Sequence, residues 1–118
     1  MQYMLLIHDV EAEWGRLSEE ERDGFMQEYF DFTSELRDSG AYVTAAQLQP
    51  TSTATAVHVQ DGETITTDGP FAETKEALGG FYLLDVESLD EAAELAAGIP
   101  AAAHGAIELR AESPEEAP

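Results

Sequence analysis

Cysteine is missing from all 118 residues, which excludes disulfides, thiolate metal ligation and a cysteine nucleophile together. Basic residues are nearly as scarce. Lys and Arg total five against 25 Asp and Glu, a formal net charge of −20, and Lys75 is the one lysine. A field of that sign repels phosphate backbones and anionic headgroups, so neither nucleic acid nor a membrane surface is an expected partner. No stretch approaches the roughly 20 apolar residues of a membrane span, and the opening lacks the basic-then-apolar pattern of a signal peptide. A cytoplasmic location is expected. HExxH spacing, an EF-hand loop and a phosphate-cradling glycine pattern are also missing, so no metal and no cofactor is expected.

What is present suits one globular domain. Hydrophobic residues make up 43% of the chain against 25% charged, and a chain of this length buries roughly two-thirds of its unfolded surface. The domain is expected over residues 1–112, with 113–118 a disordered acidic tail. The acids belong mainly on solvated faces and repel one another. Because the Debye length shrinks to about 3 Å at 1 M salt, added salt is expected to raise the melting temperature.

Met1 to His8 is an apolar run of strand length, with Tyr3, Leu5 and Ile7 on one face and Met4, Leu6 and His8 on the other. Both faces carry burial potential, which suits an interior strand. Ser18-Glu19-Glu20-Glu21 reads as a capping box, and Phe25, Met26, Tyr29, Phe32, Thr33 and Leu36 recur at three- and four-residue steps before Gly40. A helix from about Glu19 to Ser39 follows. Tyr42 to Gln49 favours a strand, and Thr55 to Gln60 with Glu63 to Thr67 flank Asp61-Gly62, a dipeptide suited to a tight hairpin turn. Gly80 to Val86 is another strand, Ser88 to Glu91 a second capping box opening an alanine-rich helix, and Ala106 to Ala111 the last strand. The order is strand, helix, strand, hairpin, strand, helix, strand. It predicts an α+β fold, a ferredoxin-like split βαβ unit with an antiparallel sheet, two helices on one face and an extra hairpin. The uncovered sheet face predicts a homodimer whose two sheets pack together.

Asp68-Gly69-Pro70-Phe71-Ala72-Glu73-Thr74-Lys75-Glu76 is the most specific stretch of the chain. Together with the opening Met1 to Ile7, the following GGFYLLDV, Ile99-Pro100 and Ile107 to Arg110, it resembles the signature of the YCII-related family, also called the DGPF-domain or DGPFAETKE family. The resemblance implies a dimeric α+β barrel. In the YCII branch a histidine early in the first helix pairs with an aspartate. This chain has no histidine between Glu11 and Val57, so that pair does not carry over. Some relatives accompany sigma-factor regulators, which implies a regulatory role as one alternative.

Asp68, before Gly69-Pro70, either caps its own turn or projects into a cleft. Its clustering with Glu73, Lys75 and Glu76 is the arrangement in which a carboxylate and an ammonium share proton transfer; the competing reading of Lys75 is a surface ion pair. Strand alternation puts Glu73 and Lys75 on one face if the segment is extended. His8, His58 and His104 supply groups that titrate near neutrality, and His8 or His104 is the candidate assistant to Asp68. His8, Asp9, Glu11 and Glu13 crowd together in sequence without recognised ligand spacing. Trp14 and Tyr3, with Phe25, Tyr29 and Phe71, are pocket walls or core. The expected sites are therefore catalytic Asp68, Lys75, His8 and His104 and ligand-binding Glu73, Phe71 and Tyr29. Two functions follow: acid-base chemistry on a small organic molecule held between sheet and helices, as an isomerase, dehydratase or lyase, or a non-catalytic small-ligand-binding or regulatory dimer.

Overall fold

A computed structural model of the chain describes residues 1–113. The expected tail lies outside the described residues except for Ser113. Among the described residues, six strands and three helices follow one another: β1 (Gln2–Asp9), α1 (Glu11–Arg16), α2 (Glu19–Ser39), β2 (Tyr42–Gln47), β3 (Thr55–Gln60), β4 (Glu63–Asp68), β5 (Ala77–Asp85), α3 (Leu89–Ala97) and β6 (Ala106–Ala111). Short 3-10 turns occupy Thr51–Thr53 and Pro100–Ala103.

The main sheet runs β2-β5-β1-β6, and every neighbouring pair in it is antiparallel. The α+β class and antiparallel sheet are as expected, and the strand order is compatible with a ferredoxin-like fold. Alternation along the two central strands sorts their side chains. Leu5, Ile7, Tyr82 and Leu84 are buried with Leu36 of α2 and Ala92 and Ala96 of α3, so the core lies between one sheet face and those helices. Phe32 meets Tyr82 edge-on at 5.6 Å, and the Tyr82 hydroxyl lies 2.7 Å from Thr33 Oγ1, satisfying the polar tip of a buried ring. On the opposite face, Met4 pairs with Leu83 and Leu6 with Phe81. These four remain only half-buried.

Ser18 caps α2 as its sequence predicts. Its side chain accepts from the Glu21 N–H, the Glu21 carboxylate accepts from the Ser18 N–H, and Gly40 ends the helix with φ +83°. The second box forms by half. Ser88 accepts from the Glu91 N–H, but the Glu91 carboxylate accepts from the Glu87 N–H instead. An additional helix, α1, adjoins β1 directly, where none was expected. It holds because Arg22 donates to the carbonyls of Trp14 and Gly15, each at 3.3 Å, tying the short helix to α2.

β3 and β4 form a separate two-stranded sheet. Asp61 (φ +52°) and Gly62 (φ +80°) make its turn, both in the left-handed region that the Asp-Gly dipeptide favours. The hairpin gives the molecule a flat, extended outline of 49 × 46 × 18 Å. Its radius of gyration, 16.4 Å, exceeds the roughly 13–14 Å of a compact domain this size. Val57 and Val59 stand 62% and 72% exposed on it.

Candidate ligand-binding cavity

A cavity of about 560 Å³ opens between the sheet and the first half of α2, at the end where β1 finishes and β5 begins. That size is within the range of small-molecule sites. Its floor comes from Ile7 of β1, Ala45 of β2 and Gly80 and Tyr82 of β5, its helical wall from Trp14, Phe25, Met26 and Tyr29, and its rim from Gln47 to Pro50. Alternation explains the floor, since Ile7 and Asp9 share the helix-facing side of β1 with Leu5. The glycine explains the depth. A Cβ on Gly80 would stand 2.7 Å from the Ala46 carbonyl oxygen, so this position lets β2 and β5 approach where a side chain would separate them.

The aromatic wall is continuous. Trp14 meets Phe25 edge-on at 6.0 Å, and Phe25 lies 6.1 Å from Tyr29 and 5.6 Å from the His104 ring. Asp9 and Glu11 are the charged residues among those lining the cavity. Glu11 is fully engaged, its Oε1 accepting from the Thr51 N–H at 2.8 Å and its Oε2 from Thr51 Oγ1 at 2.7 Å. That contact joins α1 to the segment after β2 and so shapes the rim. Asp9 Oδ1 accepts from the Val10 N–H at 2.9 Å; its other oxygen has no hydrogen-bond partner among the described residues. Burial pushes the Tyr29 hydroxyl up to about 12; a backbone hydrogen bond from Ala101 opposes the shift, while Tyr82 and the charges of Asp9 and Glu28 add to it. At neutral pH Tyr29 is therefore a hydroxyl donor.

The residues singled out from sequence fall in three places. Tyr29 lines the cavity and His104 stands behind Phe25. His8 projects from the opposite sheet face, where its Nε2 lies 3.3 Å from Glu108 Oε1. Asp68, Phe71, Glu73 and Lys75 are all exposed on or just after the hairpin. Asp68 ends β4 opposite Thr55. Among the described residues its carboxylate accepts no hydrogen bond, and the Gly69 N–H donates to the Ala54 carbonyl at 2.8 Å. Phe71 is 84% exposed and approaches His58 at 6.1 Å. Residues 70–76 are irregular rather than extended, so the alternation expected for Glu73 and Lys75 does not apply; Thr74 Oγ1 bonds the Glu76 carbonyl. Among the described residues no hydrogen bond or ion pair links Asp68, Lys75 and a histidine, and no group of three His, Asp or Glu side chains is placed to ligate a metal. Tyr3 packs against the core rather than lining the cavity.

The sequence reading named Asp9 only together with His8, Glu11 and Glu13 and did not place it at a cavity. The usable signal was its alternation with Leu5 and Ile7, which places a carboxylate at the end of a buried strand face.

Among the described residues no helix is long and apolar enough to cross a membrane. An uncharacterized protein of Rhizobium meliloti (strain 1021) is 41% identical over 96 residues, covering 81% of this chain and 77% of that protein. The YCII-related domain matches residues 1–114, nearly the whole sequence including the Asp68 to Glu76 signature. The chain belongs to the YCII-related domain family.

Proposed function

We propose that this protein binds a small organic molecule in the cavity between sheet and helices and acts as a homodimer in the cytoplasm. The cavity carries the reading: its walls are aromatic and aliphatic, and few polar groups enter it, the usual balance for a small-molecule site. A neutral aromatic probe such as 3-phenylpropanol tests it. Trp14, the one tryptophan, lines the cavity, so its fluorescence should change saturably as the probe is added. Ala45→Leu, which fills the floor, should abolish that change without unfolding the protein; an equal response from this variant would refute binding in the cavity.

The half-buried Met4, Leu6, Phe81 and Leu83 support the dimer, since a second copy would cover an apolar face that one chain leaves wet. Light scattering should give twice the chain mass. A second reading, proton transfer on the bound molecule, is favoured by one observation. Asp9 and Tyr29 share the cavity, a carboxyl group and a hydroxyl that burial keeps protonated in the same walls. Asp68 and Lys75, on the exposed hairpin side, belong to that chemistry only where a second subunit brings them to a cavity.

A further inference from the structure

We propose that the cavity selects an organic cation, a small molecule with an aromatic or apolar body and a protonated amine seated against Asp9. The inference rests on the small-molecule reading above and adds the chemical class of the ligand.

The charge inventory of the walls points one way. Asp9 and Glu11 are acidic, and no Lys, Arg or His is among the described residues lining the cavity. An anionic ligand would leave water without a counter-charge and face Asp9, a costly transfer. Arg22, beside the wall, is committed elsewhere: its guanidinium donates to the carbonyls of Trp14 and Gly15 and lies 6.0 Å from the Trp14 ring centre. Both Glu11 oxygens are occupied by Thr51. Asp9 is different, with one oxygen held by Val10 and the other unpartnered among the described residues. An ammonium supplies the donors that this oxygen lacks, and a charge-assisted bond is the stronger kind. Trp14, Phe25 and Tyr29 line the same cavity, and aromatic rings attract cations as well as apolar bodies.

A net charge of −20 draws every cation toward the surface, so the test must separate Asp9 from the general field. Three probes of one shape, 3-phenylpropylamine, 3-phenylpropanol and 3-phenylpropionate, are titrated against Trp14 fluorescence in about 0.5 M NaCl, where the Debye length is only a few ångströms. The amine should bind about tenfold more tightly than the alcohol, and the carboxylate should bind weakest. Asp9→Asn should erase the preference for the amine over the alcohol; its amide oxygen can still accept from the Val10 N–H, and an unchanged melting temperature checks that the fold is retained. Asp38→Asn, the same charge change near the far end of α2, should keep the tenfold preference. Equal binding of amine and alcohol by the native protein, a comparison that needs no variant, overturns the inference. So does an equal loss of preference in the two variants. In both cases the alcohol still reports the cavity. If none of the three probes perturbs Trp14 saturably, the cation inference and the binding reading fail together.

Discussion

Leu84→Ala is expected to cost about 2–5 kcal/mol of folding stability, the range for emptying a fully buried leucine site. Leu84 has no exposed surface. It sits on a central strand, paired with Tyr3 of β1 on one side and Tyr42 of β2 on the other, so its methyl groups enter the layer beneath the helices. A strand paired on both sides cannot easily collapse into the space left behind. Against a typical total of about 5–15 kcal/mol, such a loss is a large share of the stability. The thermal midpoint should fall by roughly 10 °C or more. In urea the midpoint should drop while the slope stays constant, as expected when stability changes without a change in the surface exposed on unfolding. Leu89, 53% exposed at the start of α3, is the control, and its replacement by alanine should leave the midpoint almost unmoved. Similar small losses at both positions would show that Leu84 is not at the centre of the core.

Gly80→Ala should separate sharply from Gly79→Ala, although the two positions are adjacent. At position 80 the new Cβ would stand 2.7 Å from the Ala46 carbonyl oxygen and 3.4 Å from the Gln47 Cα, both backbone atoms of β2. The clash cannot be relieved by rotating a side chain. β2 must shift, and it is an edge strand with β5 as its partner, so we expect a loss of about 1–3 kcal/mol, the usual cost of overpacking. Gln47 to Pro50 form the cavity rim and would move with it, so binding of 3-phenylpropanol should weaken at the same time. At position 79 the Cβ would lie 4.0 Å from the Ile7 carbonyl oxygen, an ordinary contact. That variant should melt like the native protein, and equal destabilisation of the two would refute the close approach at Gly80.

Much of the fold was legible because local chemistry and burial pattern agreed. Ser18 and Glu21 marked the start of α2 and Gly40 its stop, and Asp61-Gly62 marked the hairpin turn; each is a device of a few neighbouring residues. The expected strand at Gly80 to Val86 was shorter than the observed Ala77–Asp85. Its first residues lack a continuous apolar pattern and are held by pairing of Ala77 and Leu78 with Asp9 and His8 of β1. α1 was missed for a related reason. Six residues without a side-chain cap make a marginal helix alone, and contacts from Arg22 and Phe25 stabilise it.

The candidate site divides in the same way. Tyr29 and Phe25 were visible from helical periodicity, because residues four apart share a helix face. The signature drew attention to Asp68, Glu73 and Lys75 as a cluster, but closeness in sequence carried no information about what faces them, and the chain leaves all three exposed. Asp9, in contrast, lies twenty residues before Tyr29, and only the packing of α2 across the end of β1 brings the two to one cavity. By itself the sequence determined the family, the α+β class, the main elements and the excess of negative charge, all properties of composition or of residues within a turn or two of each other. Only the tertiary structure decided which carboxylate enters the cavity, which histidine faces away and how far the signature stands out from the body. Those outcomes depend on contacts between segments distant along the chain, and no local pattern encodes the direction in which two such segments meet.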